Sequence, residues 1–145
     1  MNWKFEAIEK LKQYEAKKLS LQNIPEEISR LESAMTAIRS ATADGTPVQG
    51  GGSGKEDMYL SNIVRREELA RSHEMSQKWV KLVDDALGIL TEDDRLILDR
   101  FYIHPQKGNL DRLCMELGCE KTTVYRRRDQ ALRVFTISLY GCIES

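Results

Sequence analysis

Apolar residues recur at helical spacing along most of the chain, and no segment shows the alternation that is typical of a half-buried strand. In the first block these residues are Phe5, Ile8, Leu11, Tyr14, Ile24, Ile28, Leu31, Met35 and Ile38. From residue 24 the steps are of four and three, as in a coiled-coil seam about two heptads long. Because two heptads are short for an independent coiled coil, an intramolecular helical hairpin and a dimer seam both stay open. Pro25 predicts that a second helix begins there.

Residues 42–55, with the sequence TADGTPVQGGGSGK, interrupt this pattern and predict a flexible loop. A third helix is predicted from about Glu56 to Leu90, with a charged first half and an apolar stripe in its second half. We therefore expect residues 1–90 to form a helical spacer or dimerisation region that carries a Gly-rich loop at 42–55.

Residues 91–145 are expected to form a helix-turn-helix domain, so that the whole protein is all-α. Thr91 followed by Asp94 predicts a capping box and a new helix. The core residues expected on that helix are Leu96, Ile97, Phe101 and Tyr102. Next comes NLDRLCMELGCEKTTVYRRRDQALRVF over 109–135, which predicts a helix, a tight turn at Gly118 and a second helix. Gly118 would supply the positive φ that ends the first of these helices.

A helical wheel divides the second helix of this pair into two faces. The core face holds Val124, Arg128, Ala131, Leu132, Phe135 and Leu139. The opposite face holds Thr122, Thr123, Arg126 and Arg133, with Arg127 at its margin. Since Arg128 points towards the core, we expect its stem to pack there and its guanidinium to pair with an acid such as Glu116 or Asp99.

The second helix of a helix-turn-helix enters the major groove of DNA, which makes its outer face a candidate DNA-binding site. Arginine binds guanine in a bidentate manner and threonine contacts thymine, so Thr122, Thr123 and Arg126 are the predicted base contacts. The predicted phosphate contacts are Lys121, Arg127 and Arg133. The net charge of the chain is −1, whereas residues 121–133 hold five basic side chains against one acidic residue. DNA binding is therefore expected from a local patch.

The sequence offers no convincing enzyme chemistry. GGGSGKE fails the phosphate-loop pattern, because Gln49 stands in place of its first glycine and Glu56 in place of its Ser or Thr. Cys114, Cys119 and His104 lack the spacing of a zinc site, and no nucleophile partners either histidine. We predict no enzymatic activity, cofactor or metal. Three cysteines without a secretion signal indicate free thiols in the cytoplasm, and no apolar run is long enough for a membrane span.

The motif over 109–135 resembles region 4 of bacterial sigma factors at Leu110, Leu117, Gly118, Val124 and the Ala131–Arg133 ending. That resemblance puts Lys121, Thr122, Thr123 and Arg126 at promoter-reading positions. Two threonines replace the longer polar side chains of sigma factors there, which implies a different target sequence. No sigma region 2 is recognisable.

Over about 24–141 the chain resembles the RinA and ArpU-like late transcription regulators of phages and prophages. The segments that carry this resemblance are IPEEISRLESAMTAIRSA, TPVQGGGSGKED and LTEDDRLILDRFYI leading into TVYRRRDQALRVFTISLYG. It implies activation of phage genes, with double-stranded DNA and host RNA polymerase as partners. The oligomeric state stays open, with a homodimer as one of the alternatives. The alternatives are a phage small terminase subunit that binds packaging-site DNA, and an adaptor that docks on RNA polymerase.

Overall fold

Helices make up the protein, as the apolar spacing predicts. The structure is a computed structural model that describes residues 2–43 and 52–144, and within these ranges it contains no strand. The helices are α1 (Trp3–Ala43), α2 (Gly52–Gly88), α3 (Glu92–Leu98), α4 (Asn109–Leu117) and α5 (Lys121–Tyr140). A π-helical segment, Asp99–Ile103, continues directly from α3. The all-α prediction is confirmed.

Two predicted helix boundaries in the first part of the chain are wrong. Pro25 does not begin a helix, because it lies inside the continuous helix α1. The predicted loop at 42–55 is too long, since residues 42–43 and 52–55 are helical, and α2 begins at Gly52 instead of near Glu56. The rest of that loop, residues 44–51, lies outside the described residues.

Pro25 leaves one carbonyl of α1 without its helical donor, and a side chain of α2 lies where it can replace that donor. Proline has no N–H group, so the carbonyl four residues earlier, on Leu21, loses its helical donor. The His73 Nε2 atom lies 3.3 Å from the Leu21 oxygen. As the carbonyl oxygen is only an acceptor, His73 donates in this hydrogen bond. The hydrogen bond that α1 loses at Pro25 is thus replaced by one from a side chain of α2.

The chain divides into two compact units. We name Met1–Lys17 with Lys78–Ser145 the terminal unit, and Lys18–Gln77 the hairpin unit. The hairpin unit consists of the later part of α1 and the earlier part of α2. Its helices run antiparallel, since Leu21 meets His73 whereas Leu31, later in α1, meets Asn62, earlier in α2.

The predicted seam of α1 packs within the chain. Leu31 and Met35 are buried, and Ile24, Ile28 and Ile38 are partly buried. Asn62 donates to the Leu31 carbonyl at 2.9 Å, and Arg66 donates to the Met35 sulfur at 3.3 Å. Of the two interpretations of the seam, the structure contains the intramolecular hairpin.

The terminal unit has a core drawn from all five helices. Its fully buried side chains include Leu11 of α1, Val83 of α2 and Phe135 of α5. The Thr91 side chain accepts a hydrogen bond from the Asp94 amide at 3.2 Å, so Thr91 is the N-cap of α3 and this half of the predicted capping box is confirmed. Across the described ranges 2–43 and 52–144, no helix is both long and apolar enough to cross a membrane.

Candidate nucleic-acid interface

A small apolar cluster sets the positions of α3, α4 and α5. Each helix contributes one fully buried residue, namely Ile97, Leu113 and Val124. Partly buried apolar side chains pack around these three residues: Leu96, Phe101, Leu110, Cys114, Leu117 and Cys119. Because all three helices share this cluster, the face that α5 turns to solvent is determined by tight side-chain packing and not by the turn alone.

The turn between α4 and α5 has the geometry that its glycine predicts. Gly118 has φ 64° and ψ 37°, and its amide donates to the Cys114 carbonyl. Glu120 is the N-cap residue of α5, but its side chain makes no capping hydrogen bond within the described part of the chain. The first amide groups of α5 are therefore left for solvent or for an anionic ligand.

A buried amide fixes the beginning of α4. Asn109 is only 7% exposed, and its side-chain Nδ2 atom donates to the carbonyls of Arg100 at 2.8 Å and His104 at 3.1 Å. These carbonyls lie in and directly after the π-helical segment, where the backbone leaves its helical path. Asn109 thereby ties α4 to the end of the preceding helix. No sequence pattern marked Asn109 as important.

The two faces of α5 agree with the helical wheel. Val124, Ala131, Leu132 and Phe135 are buried. On the other side the exposed residues are Lys121, Thr122, Arg126 and Arg133, while Thr123 and Arg127 are partly buried. The six predicted DNA-contacting residues thus lie on one helix, and four of them are exposed.

The arginine run of α5 contains side chains in three different situations. Arg127 lies 3.4 Å from the Asp93 carboxylate and 4.0 Å from that of Asp94, both on α3. Arg128 stacks over Phe101 at 5.0 Å and contacts Asp129 at 3.2 Å. Arg126 makes no hydrogen bond or ion pair with any residue that the structure describes.

Arg128 points inward and pairs with an acid as predicted, but that acid is Asp129 and neither of the two examples, Glu116 and Asp99. Its side chain is 27% exposed, and its guanidinium lies over aromatic rings. Glu116 instead contacts Arg100 at 3.3 Å, and Asp99 contacts His104 at 2.9 Å. Both acids thus have other basic partners, and Arg128 contacts the adjacent Asp129.

Two of the predicted DNA-binding arginines line one surface cavity. The cavity has a volume of about 460 Å³. Its lining residues are Lys4, Arg126, Asp129, Gln130, Arg133 and Ile143. Like Arg126, Arg133 has no hydrogen bond or ion pair to the described residues. Gln130 was missed in the sequence analysis, although a wheel puts it only about 40° from Arg126. Lys4 carried no signal, since it lies at the other end of the chain.

Lys121, at the start of α5, has only a weak partner. Its ammonium lies 3.5 Å from the Asp111 carboxylate of α4, and both side chains are more than half exposed. Exposed pairs of this kind contribute about 0–1 kcal/mol, so Lys121 is free to exchange Asp111 for another anion. Lys121, Arg126 and Arg133 are therefore the basic side chains of α5 that a ligand meets without breaking a partly buried ion pair.

The comparison with protein families places this chain in one of them. A family described as Protein of unknown function (DUF1492) matches residues 37–136. Because that match covers more than half of the 145 residues, the chain belongs to this family. No curated protein and no solved structure matches the chain at a significant level.

Proposed function

We propose that the protein binds double-stranded DNA in a sequence-specific manner, with α5 in the major groove. The proposal rests on the different environments of three consecutive arginines in α5. Arg127 and Arg128 are held by acids or aromatic rings of the protein, whereas Arg126 projects from the exposed face without a partner among the described residues. An unpaired arginine on that face is what bidentate recognition of guanine needs.

The surrounding residues support the same role. Thr122 and Thr123 lie one turn before Arg126, where the first residues of a recognition helix contact base edges. The uncapped amides of α5 and the exposed Lys121 suit a neighbouring phosphate. Arg133 is a further phosphate contact in this proposal, and Arg127 is a weaker one because of its ion pairs with α3.

We further propose that this binding serves transcription. The resemblance to sigma factor region 4 and to RinA and ArpU-like late regulators supports a phage or prophage activator that works with host RNA polymerase. If the protein acts as a homodimer, its target should consist of two half-sites about one helical turn, or a multiple of it, apart.

Selection from a random duplex library followed by affinity measurement tests DNA recognition. The purified full chain is used for the selection, and fluorescence anisotropy then compares a selected duplex with a scrambled one. We expect Arg126→Ala to remove about 1–3 kcal/mol of the preference for the selected duplex. Arg127→Ala is the matched control, since it removes the same charge one residue away and should keep most of that preference.

Two outcomes would contradict the proposal. A library that shows no enrichment would exclude sequence-specific recognition. An Arg126→Ala variant that keeps the full preference would exclude this face of α5 as the reading surface. Capture of RNA polymerase by the Arg126→Ala variant in the absence of DNA would instead favour the adaptor function.

A further inference from the structure

The first turn of α1 forms one wall of the cavity on the exposed face of α5. Lys4 belongs to this wall, and the other lining residues come from α5 and from the segment after it. On α5 they lie at positions 126, 129, 130 and 133, which is one continuous helix face. The cavity thus joins the two ends of the chain within the terminal unit.

Lys4 is held in place by a well-anchored helix start. The Asn2 side chain accepts a hydrogen bond from the Phe5 amide at 3.1 Å, which caps α1. The Trp3 ring packs on the Tyr140 ring with centroids 4.7 Å apart, and Ala7 is fully buried one turn later. The backbone that carries Lys4 therefore has defined contacts with the end of α5.

The side chains that line the cavity carry an excess of positive charge. Lys4, Arg126 and Arg133 face one carboxylate, that of Asp129. Asp129 already accepts hydrogen bonds from Arg128 at 3.2 and 3.3 Å. Neither Lys4 nor the two cavity arginines pairs with an acid in the described ranges. Such a concentration of unpaired cations favours an oxyanion as ligand.

We propose that Lys4 and Arg133 bind a backbone phosphate of the DNA beside the base contacts of Arg126. This inference rests on the proposed function and adds the N-terminal helix to the DNA-binding surface. Arg126 and Arg133 are seven residues apart, or roughly 10 Å along the helix axis. A recognition helix reads bases near its beginning, and the elements beside it contact the sugar–phosphate backbone. Lys4 is such a neighbouring contact.

The test measures how the affinity for the selected duplex depends on salt concentration. The logarithm of the affinity falls as the logarithm of the salt concentration rises. Each phosphate contact that is lost should make this dependence shallower, reducing the magnitude of the slope by about 1. We expect Lys4→Gln to reduce the magnitude of the slope by that amount. It should also weaken binding to selected and scrambled duplexes by the same factor. Lys4→Arg should retain the wild-type slope, because it keeps the charge.

Lys12→Gln is the matched control. Lys12 lies on the same helix and in the same unit, but it pairs with Glu9 at 3.5 Å and does not line the cavity. We expect its salt slope to equal that of the wild type. Circular dichroism of each variant checks that the helices are intact.

The outcomes separate this inference from the proposed function. A wild-type slope in Lys4→Gln, together with tight binding of the selected duplex, would overturn the role of Lys4 and leave recognition by α5 standing. Wild-type protein that binds no duplex would overturn both. Titration with inorganic phosphate tests whether the cavity binds a free anion instead. Phosphate binding that Lys4→Gln abolishes, with duplex binding unchanged, would assign the cavity to a free anion and overturn the DNA contact.

Discussion

The hydrogen bond from His73 to the Leu21 carbonyl predicts an unusual coupling between a histidine and a proline. Pro25 deprives that carbonyl of its helical donor, and His73 Nε2 replaces the donor at 3.3 Å. If His73 stabilises the protein through this hydrogen bond, replacing His73 should lower the free energy of unfolding only while residue 25 is proline. In the Pro25→Ala variant the new backbone amide at position 25 donates to the Leu21 carbonyl. The hydrogen bond from His73 is then no longer needed for stability.

The magnitude follows from the cost of an unsatisfied carbonyl. A buried polar group that loses its partner costs about 1–3 kcal/mol. His73 is only partly buried, so water offsets part of the loss and the lower end of that range applies. We expect His73→Leu to lower the free energy of unfolding by about 1 kcal/mol when it is made in the wild type. In the Pro25→Ala background the same substitution should have little effect.

A double-mutant cycle measures this coupling directly. Urea unfolding of the wild type, the two single variants and the double variant is followed by far-UV circular dichroism, and equal m-values show that the same surface unfolds. Pro25→Ala alone should stabilise the protein, because a proline inside a helix costs about 3 kcal/mol. A coupling energy near zero would disprove the proposed repair, since His73 would then act independently of the carbonyl that Pro25 leaves free.

Three further predictions concern the terminal unit. Burial, together with the hydrogen bond that Tyr14 donates to Asp84, raises the pKa of Tyr14. The unfolded chain then releases the phenol proton first, so stability should fall as the pH rises above about 10, and Tyr14→Phe should reduce this fall in alkaline urea titrations. Asn109→Ala leaves two carbonyls without their donor and should cost about 1–3 kcal/mol in urea unfolding followed by tryptophan fluorescence; an unchanged midpoint would contradict the role assigned to this amide. Gly118→Ala should cost about 1–2 kcal/mol in the same assay, because Cβ disfavours a φ of 64°; no loss would show that the turn can relax.

The local features of the candidate DNA-binding site could be predicted from the sequence. Gly118 ends α4 in the left-handed conformation, and Thr91 caps α3 as expected. The buried and exposed sides of α5 also follow from a period of 3.6 residues. These properties depend on backbone chemistry and on residues within one or two helical turns, so a short stretch of sequence contains the information.

The sorting of the arginines could not be predicted in the same way. Arg126, Arg127 and Arg128 are identical in chemistry and adjacent in sequence. Their partners depend on the crossing of α3 and α5, since Asp93 lies 34 residues from Arg127 in the chain. Which acid Arg128 contacts could not be predicted either, because its neighbours are determined by packing around Phe101.

The sequence contains the helical periods, the cap of α3, the turn before α5 and the division of α5 into an apolar and a polar side. Each of these is a local consequence of residue spacing or of backbone geometry. The replacement of the donor that Pro25 lacks is a property of the tertiary structure, since His73 lies on α2, 52 residues from the Leu21 carbonyl. Tertiary structure also brings Lys4 to the face of Arg126 and Arg133. A hydrogen bond or a cavity between distant segments depends on how whole helices pack, and that packing energy belongs to no single stretch of the chain.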